Sequence, residues 1–245
     1  MPPDRMSPHA WLERQPLKPG EQLFAIFGNA SASQPMKAWQ LSTPAQAPSP
    51  TWADTTYAEW EPVMPYVGIV PASSEFLQWV ATTESRDWGW LAVSSASQEA
   101  LVEHLRSLTQ VLLPNGSAVF FRFCDGRYLL PILQSADVNP TQLMPVLDRC
   151  LINGQPLDIG GSALKVSRVF PWWEVSESLL DDLAAESATT RINNLMKWLS
   201  EDRPDLFEAF SARVLRHKVA TFLKTPDLPQ APKQALADYL MAERN

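Results

Sequence analysis

The chain has 245 residues, of which 45% are hydrophobic, so it can bury a core in one large domain or two small ones. Its 20 Lys and Arg residues against 27 Asp and Glu residues give a formal net charge of -7. This charge argues against a nucleic-acid partner, because proteins that coat a duplex are normally basic. Two cysteines and three widely spaced histidines predict neither a disulfide framework nor a metal site.

The sequence also lacks the signals of export and of membrane insertion. The amino-terminal residues contain no apolar run of the kind that a secretory signal requires. No segment approaches the roughly 20 uninterrupted apolar residues of a membrane helix. We therefore expect a cytoplasmic protein without a membrane partner.

Strand and helix patterns alternate in the first part of the chain. Short apolar runs bounded by turn residues predict strands at residues 23–27, 66–70 and 88–93. Apolar residues at helical spacing predict helices at residues 74–82 and 98–109. Ser97 has the side chain and the position of an N-cap for the second helix.

Turn residues divide the rest of this region. The segment 42–56 is rich in Pro, Ala, Ser and Thr, which predicts a flexible, exposed insertion. Pro114-Asn115-Gly116 predicts a hairpin between 111–113 and 118–123. Asp125-Gly126 predicts the turn into a helix that begins near Arg127.

The fold class that these patterns predict is α+β. Residues 1–170 are expected to form an α/β-like lobe with a mixed sheet, whose last strand lies at 164–170. From residue 171 to 245 the apolar spacing is helical only, which predicts an all-helical second lobe. Helical spacing recurs at 192–199, 207–214 and 233–241, and Pro204 suits the first turn of a helix.

No familiar catalytic motif occurs in the sequence. A phosphate-binding P-loop, GxGxxG, GxSxG, HExxH and a CxxC pair are all missing, so we predict no catalytic residue, no cofactor and no metal. Cys124 and His104 could form a nucleophile and base if they met in space. The aromatic residues before Cys124 favour a small buried core residue instead.

The segment 120–127, FFRFCDGR, concentrates charged residues beside aromatic ones. One hypothesis is an anion pocket in which Arg122 and Arg127 bind a carboxylate or phosphate bidentately. The alternative is structural, with Asp125 capping the following helix and pairing with one arginine.

Two further sets of residues are candidate partner contacts. Trp172 and Trp173 follow a proline at the predicted lobe boundary, where one could face a partner or both could pack a hinge. Arg213 and Arg216 belong to a basic cluster late in a predicted helix. That cluster is either a site for an acidic partner or a solvated helix face.

Short motifs between residues 88 and 133 carry a family resemblance. Trp-Gly before an apolar strand, His-Leu-Arg at the end of a helix and Phe-Arg-Phe-x-Asp-x-Arg occur in the order seen in the type VI secretion effector chaperone or adaptor family, which this chain resembles over about residues 20–150. Cys124 and Gly126 stand where the family usually has Tyr and Pro. The matching residues, interpreted as structural, are Trp88, Gly89, His104, Arg106, Arg122, Asp125 and Arg127.

The resemblance implies a bacterial, cytoplasmic and non-enzymatic protein that binds one cognate toxin effector. Such a protein stabilises the effector and promotes its loading onto a VgrG-type spike protein, with the two lobes holding a segment of the effector or bridging it to the spike. Two alternatives stay open. The chain could be an immunity protein that neutralises a toxin, or an enzyme that acts on an anionic substrate through Arg122, Asp125 and Arg127.

Overall fold

The computed structural model describes residues 5–42, 47–161, 170–225 and 232–243. The chain divides into two compact units, which we call unit 1 (Met1–Leu179) and unit 2 (Leu180–Asn245). Unit 1 combines helices with an antiparallel sheet and the described part of unit 2 is helical, so the predicted α+β class is confirmed. The strand predicted at 164–170 lies, except for Phe170, outside the described residues.

The sheet of unit 1 has six described strands in the order β2-β3-β1-β4-β7-β8, and β5 pairs with β6 in a separate hairpin. Each described pairing between these strands is antiparallel, whereas the alternation of predicted helices and strands had favoured a sheet with both parallel and antiparallel pairs. The predicted strands at 23–27, 66–70 and 88–93 and the predicted hairpin are present. The strands are β1 (Gln22–Gly28), β2 (Ser49–Pro50), β3 (Pro65–Ile69), β4 (Gly89–Ser94), β5 (Gln110–Leu112), β6 (Ala118–Phe120), β7 (Arg149–Ile152) and β8 (Gln155–Asp158).

Helices alternate with these strands along the chain, and the three helices predicted at 74–82, at 98–109 and from near Arg127 are present. Ser97 caps α4 as predicted, since its hydroxyl accepts a hydrogen bond from the Ala100 backbone N–H at 3.3 Å. A short 3₁₀ turn occupies Glu61–Val63. The helices described in unit 1 are α1 (Pro8–Arg14), α2 (Pro35–Ser42), α3 (Glu75–Thr82), α4 (Gln98–Ser107), α5 (Gly126–Gln134) and α6 (Pro140–Leu143).

An aromatic core joins α2 and α3 to the central strands β1 and β4. The ring of Trp39 lies 5.6 Å from Phe27 and 5.1 Å from Phe76, and Phe76 also packs at 6.0 Å against Trp88. A side chain at Gly68 would collide with Trp39, because a Cβ there would lie 2.3 Å from the indole. Full burial of each such ring contributes about 1.5–3 kcal/mol, so this layer fixes the helices on the sheet.

The described part of unit 2 is built from helices around a core of leucines. Pro204 begins its helix, as predicted. The predicted helix through 207–214 is wrong in one respect, because the chain leaves α8 after Phe207 and Ser211 adopts the extended conformation of an N-cap before α9. The helices are α7 (Glu177–Asp202), which starts in unit 1, α8 (Pro204–Phe207), α9 (Ala212–Phe222) and α10 (Pro232–Glu243). Within the described ranges, no helix has the length and apolar character needed to cross a membrane.

The predicted insertion at 42–56 is only partly the exposed loop that its composition indicated. Ser42 ends α2, and residues 49–50 form β2 against β3. Thr51 and Trp52 are buried, and the Trp52 indole donates a hydrogen bond to Thr109 Oγ1 at 2.9 Å. The prediction of exposure is therefore wrong for Thr51 and Trp52. The Trp52 side chain is buried because it packs and hydrogen-bonds with residues distant in sequence, such as Thr109. Residues 43–46 lie outside the described residues.

A buried ion pair ties the segment before β1 to β7. Arg149 Nη1 lies 2.9 Å from Glu21 Oε2, and both side chains are almost fully buried. Arg149 also donates hydrogen bonds to the backbone carbonyls of Gln15 and Pro16. One guanidinium therefore fastens the α1 to β1 connection onto the sheet.

We expect Arg149→Met to destabilise unit 1 by about 3–5 kcal/mol, because it leaves the Glu21 carboxylate buried without its cation. Urea denaturation followed by circular dichroism measures this loss. The matched control is the double variant Glu21→Leu with Arg149→Met, which should recover part of the stability. A single variant as stable as the wild type would contradict this role of the pair.

Candidate functional site

The turn between β6 and α5 is organised by the carboxylate of Asp125. Asp125 is buried and caps α5, accepting a hydrogen bond from the Arg127 backbone N–H at 3.0 Å. The Arg127 guanidinium donates to both of its oxygens at 3.1 and 2.8 Å. Arg122 Nη2 lies 3.2 Å from the same carboxylate. The cap agrees with the structural interpretation of the FFRFCDGR segment, although Asp125 pairs with two arginines and not with one.

A second carboxylate extends this network to the start of β4. Asp87 Oδ2 lies 3.2 Å from Arg127 Nη2, and the hydroxyls of Ser31 and Ser85 donate to Asp87 at 2.9 and 2.5 Å. Burial raises the pKa of Asp87, but these hydrogen bonds and the Arg127 charge outweigh burial, so the pKa is lowered overall. The hydrogen bonds to Asp125 raise the pKa of Arg127. The Asp87 carboxylate and the Arg127 guanidinium therefore stay ionised at neutral pH.

The next two residues of the family pattern have structural positions. Trp88 is buried in the aromatic core of unit 1. Gly89 has a φ of +142°, and a Cβ there would lie 2.1 Å from the Ile26 carbonyl oxygen. Because only glycine allows both this backbone and this approach, Gly89 lets β4 begin beside β1 directly after the network.

His104 and Arg106 fasten α4 to neighbouring loops. His104 Nε2 donates to the Leu143 carbonyl oxygen at 2.9 Å, since a carbonyl can only accept. Arg106 Nε donates to the Thr51 carbonyl oxygen at 2.7 Å. The second bond holds the chain just before Trp52, so the family-motif arginine positions part of the insertion.

Cys124 lies beside this turn, with its sulfur packed against the backbone of Gly28. Burial raises the pKa of the Cys124 thiol to about 12. The thiol is therefore protonated at neutral pH. Because the thiolate is the nucleophilic form, this result does not favour the hypothesis that Cys124 is a nucleophile with His104 as its base.

Four aromatic rings, Trp52, Tyr57, Trp60 and Phe120, form what we call the aromatic cluster. Each ring contacts the other three, with all six centroid distances between 5.1 and 6.4 Å. Trp52 is buried, whereas Trp60 is 45% exposed and Phe120 is 41% exposed. The cluster therefore presents parts of the Trp60 and Phe120 rings to solvent. No sequence pattern predicted this cluster, although three aromatic residues within 52–60 were an available signal.

The aromatic cluster forms one wall of a groove of about 400 Å³ in unit 1. Phe120 ends β6 two residues before Arg122, so the apolar wall and the charged network are adjacent. The predicted strand at 118–123 is therefore shorter than expected, and the early turn exposes Phe120. The groove is lined by Gly28, Ala30, Ser31, Trp52, Trp60, Val63, Pro65, Asp87, Phe120, Phe121, Arg122, Cys124 and Asp125.

Trp172 and Trp173 are half-buried and have contacts within unit 1. The Trp172 indole donates to Ser107 Oγ at 3.0 Å. The Trp173 carbonyl accepts from the Leu112 N–H at 2.9 Å, and its ring lies 5.4 Å from Phe121. These contacts favour packing for both rings, and a role in partner binding stays a prediction.

Arg213 and Arg216 are exposed on α9 in unit 2, and Arg216 donates to Asn193 Oδ1 at 2.7 Å. The prediction that they lie late in a helix is wrong, because a new helix begins at Ala212 and Arg213 is in its first turn. Their role in binding a partner also stays a prediction. Among the described residues, no group of three or more His, Cys, Asp or Glu side chains is placed to hold a metal ion.

Residues 23–143 match a family model described as "Domain of unknown function (DUF4123)". The matched range covers about half of the chain and contains all the residues that line the groove. At the level of the family, this domain is associated with type VI secretion. No curated protein and no solved structure matches the chain.

The lowered pKa of Asp87 gives a pH-dependent prediction. The stability that its carboxylate contributes is present at neutral pH and is lost as the pH falls through the folded-state pKa. Asp87→Asn should cost about 1 kcal/mol near pH 7, and wild type and variant should converge only in acid well below the ordinary range of an aspartate pKa. Thermal melts over a pH series measure the difference. A difference that persists unchanged in strong acid would contradict the assignment.

The protonated state of Cys124 predicts slow alkylation. With a pKa of about 12, its thiolate fraction near pH 8 is about a thousandfold below that of an ordinary thiol. We expect iodoacetamide to leave Cys124 unmodified in the folded protein and to label it in guanidinium, as read by peptide mass spectrometry. Cys124 is half-buried at the groove, so rapid labelling without denaturant would contradict the raised pKa of its thiol.

Proposed function

We propose that the chain is a non-enzymatic, cytoplasmic adaptor of type VI secretion that binds a cognate toxin effector and promotes its stability and its loading onto a VgrG-type spike protein. The observation that carries the proposal is the exposed aromatic wall of the groove, within the range that matches the family. The association of that family with type VI secretion supplies the biological context.

The exposed residues of the groove have the composition of a protein interface. Trp60, Val63 and Phe120 are each more than two-fifths exposed, and burial of their surface against a partner would stabilise a complex by about 25 cal/mol per Å². Trp, Tyr and Arg dominate the energetically important positions of interfaces. The groove combines Trp60 with Arg122, and Tyr128 lies beneath the Arg122 guanidinium at 5.3 Å.

The charged residues beside the groove support binding more than chemistry. Both oxygens of Asp125 accept hydrogen bonds from Arg127, and one of them also caps α5. Asp87 is engaged by two hydroxyls and by Arg127. A general base must offer a free lone pair to the substrate, so the alternative of an enzyme that uses Arg122, Asp125 and Arg127 has weaker support.

The test is affinity capture of the tagged chain from its native host, combined with secretion assays in a deletion strain. We expect the wild-type chain to capture one toxin and a VgrG-type spike protein. Deletion should lower the level of that toxin and abolish its secretion. The double variant Trp60→Ala with Phe120→Ala should reduce toxin capture at least about tenfold, because it removes two aromatic side chains that we expect to anchor the interface.

The matched control is Val214→Ala, which removes an exposed apolar side chain of α9 in unit 2. It should capture the toxin as the wild type does, and circular dichroism should show that the wild type and both variants are folded. Capture of neither toxin nor spike protein would overturn the proposal. A deletion strain that secretes the toxin normally but becomes sensitive to it would also overturn it and would identify an immunity protein.

A further inference from the structure

We infer that the groove binds one segment of the partner in which a bulky apolar side chain lies next to a carboxylate. The apolar side chain packs on the aromatic cluster, and the carboxylate pairs with Arg122. This inference rests on the proposed function and specifies the chemistry that the groove recognises.

The apolar half of the site consists of exposed rings that pack on a buried ring. Trp52 lies buried at the base of the aromatic cluster, where its indole N–H is held by Thr109. Trp60 and Phe120 stand against it with centroid distances of 6.4 and 6.2 Å, and 5.3 Å from each other. Because each ring is braced by the others, a partner would meet a surface that needs little ordering on binding.

The size of the groove limits what it can hold. Its volume of about 400 Å³ lies near the lower end of the range of about 300–1,000 Å³ for ligand pockets. A space of this size takes one or two large side chains and the backbone that carries them. It does not take a folded domain, so the occupant is a segment that projects from the partner.

The charged half of the site presents cations outward and carboxylates inward. The side chains of Arg122 and Arg127 are 53% and 47% exposed, whereas those of Asp125 and Asp87 are 3% and 26% exposed. The two carboxylates are also the ones already engaged by hydrogen bonds. A partner therefore meets guanidinium groups first, and an acidic group is the complement.

Arg122 makes fewer contacts with the two carboxylates than Arg127 does. Its contact with Asp125 is a 3.2 Å approach of one terminal nitrogen, whereas a guanidinium carries five N–H donors that suit bidentate pairing with a carboxylate. It also lines the groove, and the Tyr128 ring at 5.3 Å supports its guanidinium. Arg127 is committed to Asp125 and Asp87 through both Nε and Nη2.

The distribution of charge also orients the segment. Glu59 and Glu61 flank Trp60 in sequence and are exposed, which places negative charge beside the aromatic wall. A carboxylate of the partner is repelled from that wall and attracted towards Arg122. A basic residue on the apolar side of the segment would be tolerated.

The experiment is a selection from a displayed library of random peptides, about a dozen residues long, on the full chain. We expect enriched peptides to combine an aromatic or large aliphatic residue with a neighbouring Asp or Glu. An enriched peptide should bind Trp60→Ala with Phe120→Ala at least about tenfold more weakly. Arg122→Glu should weaken binding similarly, and a selection on that variant should prefer Lys or Arg in place of the acidic residue.

The matched control for charge is Arg191→Glu, since Arg191 is an exposed arginine of α7 in unit 2 and has no assigned role in binding. It should bind the enriched peptides as the wild type does. If Arg122→Glu does not fold, Arg122→Gln replaces it, with the expectation of weaker binding and no acidic preference. Circular dichroism melts verify the fold of each variant.

The inference is overturned if no peptide is enriched, if the enriched peptides lack an acidic preference, or if the Arg122 variants select the same sequences as the wild type. Its failure is distinct from failure of the proposed function. Capture of a toxin and a spike protein in the host assay, together with a negative peptide selection, would leave the adaptor role standing and remove only the recognition of an apolar and acidic segment.

Discussion

One buried carboxylate, that of Asp125, determines the geometry of the groove. It caps α5 through the Arg127 N–H and binds the guanidinium of Arg127 with both oxygens, and Arg122 pairs with it from the preceding turn. Since a buried carboxylate without partners would be costly, these contacts hold the chain in a sharp turn after β6. The turn leaves Phe120 exposed, buries Phe123 and places the two arginines outward.

The turn matters because it lies against the aromatic cluster, whose other rings come from a distant part of the chain. Trp52, Tyr57 and Trp60 precede β3, while Phe120 ends β6. Hydrogen bonds from Arg106 to the Thr51 carbonyl and from Trp52 to Thr109 attach the two parts. The family-motif residues therefore act mainly as supports, and the exposed side chains that they position supply the surface for recognition.

Sequence patterns predicted much of this fold. Apolar runs placed β1, β3 and β4, and the turn residues Pro114-Asn115-Gly116 and the cap Ser97 placed the hairpin and α4. The composition of 42–56 concealed β2 and the burial of Trp52, because a strand of two residues has no periodicity to detect. The strands β7 and β8 were missed for the same reason, since each has only four residues.

The sequence by itself determined the local states of the chain and the charged residues available at FFRFCDGR. The local states follow from the sequence because helical and strand spacing, caps and turn residues act between near neighbours. The family resemblance over that block is likewise a property of the sequence alone. Only the tertiary structure decided that Asp87 joins Arg127 in the charged network and that Trp60 and Phe120 share one exposed wall. Their partners lie up to about sixty residues apart, and contacts at such separations depend on how strands pair and not on any local pattern.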